Sequence, residues 1–500
     1  MKPSMKTLLV LLVLLIPALL VSLGTRPVYK IQEVRIAETA REMLVSGDWT
    51  LPHYNGELRL QKPPLPYWLT AASYEVGGVN ETSTRVPAVL FGLLTTLLLF
   101  GWIRREAGLK VAVNTSLVLA ASYIGLRYFR SGEADAVLLF FSSAACLLGY
   151  DMLRHGGSKL CRASFGLALG LGFLSKGPAA LAIPLLTLLA LVLLEKRASK
   201  LKECFSLPGL ALLLVAAFGW YAWVIWHLPD AAQHFVGKQV DETFVSGTHA
   251  KPVWWYLAHL FEFFAPWGIL LIPAGWSAYA RRSAMPSHIK FAWVWLMVVF
   301  VLLTATINKQ MQYALLFAPP LAIILGYYLA TAEHGFAKAN RALFWIFCVA
   351  ALAGIGYAVY KTGTAALPWL ALPAAPLVLQ RVLRAEELPL PVLLVAAVTA
   401  MAYLYSDGYL SKEPRKVAAQ TLMAEAEKHA PLYQAKPGDG ALSFYARHVI
   451  PPVKDEGIPA LLQANPEIWF ITEQPPSVAG ATVEIVAESG ALKLCRLRKP

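Results

Sequence analysis

Apolar runs of about 20 residues recur along most of this chain, and a run of that length with few charges is what a bilayer core demands of a helix. Backbone groups inside hydrocarbon must satisfy one another, so a chain of this kind folds as a bundle of spanning helices. A mean hydropathy of +0.53 and a charged fraction of only 15% exclude an ordinary soluble enzyme. Runs fall at 6–23, 84–102, 110–128, 133–150, 164–174, 177–194, 207–226, 256–278, 290–306, 311–330, 342–360, 366–381 and 388–406, which predicts about thirteen spans. The first, behind Lys2 and Lys6, resembles a signal peptide, but Pro17 interrupts it and no small-residue cleavage pattern directly follows. An uncleaved span is therefore the expectation.

The net charge of +13 would point to nucleic acid in a soluble protein; here the positions of the cations orient the bundle instead. With the N-terminus cytoplasmic, Arg104, Arg105 and Lys110, then Arg154, Lys159 and Arg162, then Lys196, Arg197, Lys200 and Lys202, then Arg281, Arg282 and Lys290 all lie on the inner side. Reading 164–194 as one tilted helix would put "EKRASKLK" outside, so it is read as two spans meeting at Ser175-Lys176-Gly177-Pro178. Residues 24–83 and 227–255 then form large outward loops of a transmembrane domain, 1–406. Residues 407–500, with "EIWFIT", "TVEIVA" and "LKLCRL" and a helical stretch near 413–429, predict a small outward α/β domain. Cys146 and Cys348 fall in spans, Cys161 and Cys204 in inner loops and Cys495 outside, which leaves no intramolecular disulfide. There is no CxxC, HExxH or P-loop motif, and "GLALGLGFLSKG" lacks the strand of a dinucleotide site, so its glycines are assigned to helix packing.

Charge is concentrated in "EVRIAETAREMLVSGDWTLPHYNGELRLQKPPLPYW". Its first part has the spacing of an amphipathic helix on a membrane surface, and its proline-started end that of a second short helix with Tyr67 and Trp68 at the interface. A solvated loop with salt bridges such as Glu38–Arg41 explains the same composition. Further charges mark the outer membrane edge: Glu133 and Asp135 beside Arg127 and Arg130, Lys176, and Lys309 with Tyr313. Singly, each reads as an interfacial anchor. Together, cations and carboxylates at one face suit a phosphate-bearing lipid and a hydroxyl acceptor.

The opening loop resembles the first periplasmic loop of bacterial aminoarabinose transferases of lipid A, within the dolichyl-phosphate-mannose-protein mannosyltransferase superfamily. The pattern there is close to D-E-x-R-Y-A-E, R-E-M, G-D-W, N-G and E-K-P-P-L-x-Y-W. Later, Asp135 matches a second-loop acid, "SKG" a T/S-K-G, "HAKPVWWY" an H-x-x-P-x-x-Y-Y and "NKQMQYALLFAPP" a K-L-P-x-Y-x-L-x-x-x-P. The resemblance covers most of residues 5–325. It implies an all-α polytopic membrane protein of the type C glycosyltransferase fold, with the C-terminal α/β domain as an addition. Two departures stand out: Gln32 replaces the aspartate credited with acid/base work, and Gln61 replaces a glutamate that in some relatives could hold a metal. No metal and no cofactor is expected.

Transfer from a lipid phosphate needs a cationic cradle for the departing phosphate and a base for the acceptor. Lys62 on the Pro63-Pro64 corner is the first cradle candidate, followed by Arg35, Lys176 and Lys309; Glu33 and Asp135 are the candidate bases. Gln32, Gln61, His249, Tyr256 and Tyr313 complete the expected pocket. The structural alternatives pair Glu33 with Arg35 or Lys30, and Asp135 with Arg130 or Arg127. The expected activity is an inner-membrane glycosyltransferase with its site facing the periplasm. It moves a sugar from an undecaprenyl-phosphate donor to lipid A, another envelope glycan or a protein, with sugar, acceptor and stereochemistry open. A polyprenyl-lipid flippase, or a homologue that binds donor without turnover, remains the alternative.

Overall fold

A computed structural model describes residues 15–28, 30–232, 250–331, 431–435, 440–476, 481–489 and 492–499, with scattered single positions elsewhere. The expected spans at 342–360 and 366–381, the helical stretch near 413–429 and most of the 227–255 loop lie largely or wholly outside the described residues. The chain forms two compact units. One comprises residues 1–21, 61–65 and 88–407, the other 22–60, 66–87 and 408–500.

Five described helices are long and apolar enough to cross a membrane: Glu81–Ala107, whose residues up to Pro87 belong to the second unit, and, in the first unit, Asp135–His155, Leu207–His227, Ser287–Ala305 and the Met311–Thr331 segment. The shorter apolar helices Leu109–Ala120 and Ala179–Leu194 and the helix Lys159–Lys176 pack among them. The break at Gly177-Pro178 separates two helices, as the basic cluster after it required. Two expected spans come out differently. The 256–278 run is divided into Trp255–Phe263 and Trp267–Ala280, bent by 115° at a break that contains Pro266, whose ring cannot continue a helix. The 110–128 run ends at Ala120 and restarts as Tyr123–Tyr128, where the Ser122 hydroxyl accepts from the Gly125 amide.

The glycines of "GLALGLG" do bring helices together. A Cβ on Gly166 would stand 1.9 Å from the Gly209 carbonyl oxygen, and one on Gly170 2.7 Å from the Ala216 Cβ. Only a missing side chain lets Lys159–Lys176 and Leu207–His227 approach this closely.

The second unit joins the first loop to the C-terminal residues, whereas the sequence assigned them to separate domains. Val34, Ala37 and Ala40 of the helix Ile31–Ser46 share a buried cluster with Val28, Ala71, Tyr74 and Phe444. The Tyr445 hydroxyl accepts from the Val28 amide at 2.9 Å, and Arg41 Nη1 donates to the Arg447 carbonyl at 2.8 Å. Ile31–Ser46 is buried on more than one face, so it is a core helix of its unit and does not lie on a membrane surface as its spacing predicted. Tyr67, expected at an interface, is likewise buried, its hydroxyl accepting from Arg59 Nε at 3.1 Å.

The C-terminal residues form a five-stranded sheet in the order Pro452–Val453, Leu432–Ala435, Glu467–Thr472, Leu492–Arg498, Thr482–Ser489. Leu432–Ala435 runs parallel to both of its neighbours, and Leu492–Arg498 antiparallel to both of its own. The three quoted strand motifs are three of these strands.

Candidate active site

The first loop is built by local chemistry. Glu42 accepts from the amides of Asn55 (2.6 Å) and Gly56 (3.0 Å), at the tip of a hairpin pairing His53–Tyr54 with Glu57–Leu58. Both tip residues have positive φ, 54° and 76°, which is the turn that Asn-Gly favours. Asp48 accepts from the amides of Thr50 and Leu51, and Trp68 Nε1 donates to the Trp49 carbonyl at 2.6 Å. The G-D-W and N-G elements thus shape the backbone. Glu38 pairs with Arg41 through two bonds, 2.6 and 2.8 Å, as the helix spacing predicted. Burial pushes the Glu38 carboxyl up to about 8, with the Arg41 guanidinium pulling against it.

Glu33, expected as a base, is fully buried. Its two oxygens accept from Arg85 Nε at 2.7 Å and Nη2 at 3.1 Å, and Arg26 Nη2 stands 3.5 Å away. Arg85 spends its remaining donors on the carbonyls of Leu23, Arg26 and Pro27. Both partners of the Glu33–Arg85 pair are buried, the arrangement of a structural ion pair. Nothing local in the sequence linked Glu33 to Arg85, since 52 residues separate them. Gln32 and Arg35, on the same helix, are half-buried.

In the first unit, Asp135 opens the helix Asp135–His155 and Lys176 closes Lys159–Lys176. Lys176 Nζ donates to both Asp135 oxygens, at 2.6 and 2.7 Å, and lies 5.3 Å from the centre of the Tyr313 ring. Three sequence candidates, from three separate motifs, therefore meet. The pairing of Asp135 with Arg130 or Arg127 is not found: Arg130 donates to the carbonyls of Ala18, Leu19 and Val21, and Arg127 to the Tyr123 hydroxyl. Glu133, missed as a site residue, is buried two residues away and accepts from the Ser131 hydroxyl at 2.8 Å.

Lys309, on the segment that carries Tyr313, is 3% exposed. Its ammonium donates to the carbonyls of Thr306 (2.5 Å) and Lys251 (3.4 Å), and no carboxylate among the described residues pairs with it. A buried ammonium held only by carbonyls keeps a net charge that an anion would neutralise. The Tyr256 hydroxyl fixes this segment by donating to the Gln310 carbonyl at 3.2 Å and accepting from the Gln310 amide at 3.3 Å. Lys62 and Gln61 are half-buried, and the Gln61 Oε1 is buried without a partner among the described residues. His249 lies outside the described residues.

At the other end of Asp135–His155, Glu106, Asp151 and His155 bring ligand atoms within 4.8 Å of one another. Arg105 bonds both Asp151 and Glu106, and Trp102 Nε1 donates to Asp151 at 2.9 Å, so these oxygens already have partners.

The family described as dolichyl-phosphate-mannose-protein mannosyltransferase matches residues 61–226, the stretch that supplies Lys62, Asp135 and Lys176. An undecaprenyl phosphate-α-4-amino-4-deoxy-L-arabinose arabinosyl transferase of Edwardsiella ictaluri is 30% identical over 334 residues, 65% of this chain and 60% of that protein. Over residues 61–226 the chain is similar to the dolichyl-phosphate-mannose-protein mannosyltransferase family. The chain is also similar to the aminoarabinose transferases, of which it spans less than two thirds of the length in the Edwardsiella case. An uncharacterised protein of Aquifex aeolicus is 28% identical over 364 residues, 71% of each chain. The fold is that of ArnT from Cupriavidus metallidurans, solved bound to undecaprenyl phosphate. The TM-score is 0.81 over 98% of this chain and 97% of that one, at 21% identity. The chain is thus a helical, multi-pass membrane protein of this fold with a small C-terminal sheet domain.

Proposed function

We propose that the protein is an inner-membrane glycosyltransferase that moves a sugar from an undecaprenyl-phosphate donor to an envelope acceptor, with its site on the periplasmic face. The observation that carries this reading is the meeting of Asp135, Lys176 and Tyr313, next along the chain to the buried Lys309. The activity named for the relatives and the undecaprenyl phosphate bound to ArnT favour a polyprenyl donor, and aminoarabinose is the sugar the relatives favour.

In this mechanism the bond from the sugar C1 to the phosphate oxygen breaks, its electron pair leaving with the phosphate. The acceptor oxygen bonds C1, and its proton passes to an Asp135 oxygen. Lys176 is the positioning partner of Asp135. Lys309 and Lys62 stabilise the phosphate as its charge grows. Asp135 takes the role that Gln32 cannot, because an amide accepts no proton at neutral pH. Glu33 orders the loop through Arg85.

Gln32 also favours a second reading, a homologue that binds donor without turnover. Mass spectrometry of envelope lipids and glycans from wild-type and deletion cells separates them. The transferase reading expects one mass increment of a single sugar to vanish on deletion, and identical profiles would contradict it.

A further inference from the structure

A groove of about 530 Å³ lies at the end of the bundle remote from Asp135. Its wall includes Glu195, which Arg154 bonds from the last turn of Asp135–His155. That helix has 21 residues, so Arg154 stands about 30 Å along the axis from Asp135. The same end carries the inner-side clusters around Lys196 and Arg281, which places the groove at the cytoplasmic membrane edge.

Leu191, Leu194 and Met285 give the groove an apolar wall, and Arg282 and Lys290 give it a cationic rim. Both cations are exposed, and neither has a carboxylate partner among the described residues. Arg282 is held with its guanidinium 4.6 Å from the centre of the Tyr279 ring while Nη1 donates to the Tyr279 carbonyl at 3.1 Å, which leaves its other donors available. Glu195, the acidic residue of the wall, is engaged by Arg154. Trp293 adds its indole ring to the lining.

We propose that this groove binds one anionic glycerophospholipid of the cytoplasmic leaflet, its phosphate between Arg282 and Lys290 and an acyl chain along the leucines and the Trp293 ring. A free phosphate would leave the apolar wall unused, and a zwitterionic lipid would bring its own cation to the rim. Basic pockets between helices on the cytoplasmic side suit anionic headgroups for these reasons. The site is independent of the transferase reading, because it lies a full span away from the Asp135 cluster.

The test is native mass spectrometry of the full-length protein in detergent, titrated with phosphatidylglycerol or phosphatidylcholine. One phosphatidylglycerol should bind at least about tenfold tighter than phosphatidylcholine, and Arg282→Gln with Lys290→Gln should remove that preference. Lys202→Gln, an exposed cation away from the groove, should change the binding of neither lipid. Lys290→Gln alone serves if the double variant does not elute as a folded monodisperse species. Equal affinity for the two lipids, a preference that survives the double variant, or displacement of phosphatidylglycerol by an equal concentration of undecaprenyl phosphate would each overturn the proposal.

Discussion

Replacing Glu33 with glutamine should damage the protein by unfolding its second unit, not by stopping chemistry. All five N–H donors of Arg85 are engaged, two of them by Glu33, and the two side chains are 1% and 0% exposed. Glutamine keeps the shape but removes the counter-charge and turns an N–H toward a guanidinium that has no acceptor to offer. Breaking a buried pair from one side costs about 3–5 kcal/mol, because the surviving charge stays buried. Arg85→Met should cost a similar amount, leaving the Glu33 carboxylate with Arg26 at 3.5 Å. Glu33→Gln combined with Arg85→Met should be less damaging than the sum of the two single changes by about 2 kcal/mol, since the Glu33–Arg85 pair is lost only once. Denaturant and thermal unfolding of the purified protein, followed by tryptophan fluorescence, measures the cycle. A Glu33→Gln protein that melts like wild type but has lost turnover would refute the reasoning and return Glu33 to the role of base.

Three other outcomes follow from the same structure. Gly166→Ala should lower the melting temperature markedly, because its Cβ would meet the Gly209 carbonyl at 1.9 Å, whereas Gly275→Ala, with nothing within 4 Å, should not. Glu38 binds its proton more tightly when folded, near pH 8 against an ordinary value of 4.5, so stability should fall as pH rises from about 4.5 to 8 and then level off; Glu38→Gln should flatten that slope in pH-dependent melting. Lys62→Ala should weaken donor binding about ten- to a hundredfold, at roughly 1.5–3 kcal/mol for a charge-assisted hydrogen bond, without lowering the melting temperature, and unchanged affinity by titration calorimetry would remove Lys62 from the site.

The spanning helices were legible because hydrocarbon permits little else. The break at Gly177 could be read from "EKRASKLK", since only a reversal keeps that cluster inside. The Asp135–Lys176–Tyr313 cluster was legible as membrane-edge charges and motif matches, though not as contacts, because each residue comes from a different segment. Two features resisted reading. The spacing of Ile31–Ser46 shows one polar face, which suits a membrane surface as well as a core in which charges are paired; the distant Arg85 and Phe444 decide between them. The bend after Phe263 was hidden by apolar residues on both sides of Pro266, which read as one continuous span. Asn55-Gly56 did carry its own signal, a hairpin turn, and its value lay in backbone geometry more than in motif likeness.

The central claim, that Asp135 serves as the base of a glycosyl transfer from a polyprenyl phosphate, is tested most directly in liposomes containing the purified protein, an acceptor lipid and a synthetic undecaprenyl-phosphate aminoarabinose. The quantity measured is undecaprenyl phosphate released per protein. Wild type should release it in proportion to sugar gained by the acceptor. Asp135→Asn should bind the donor within about threefold of wild type yet lose turnover by roughly a hundredfold or more, the scale expected for removal of a general base. Donor bound but never consumed by wild type, or full turnover in Asp135→Asn, would contradict the account.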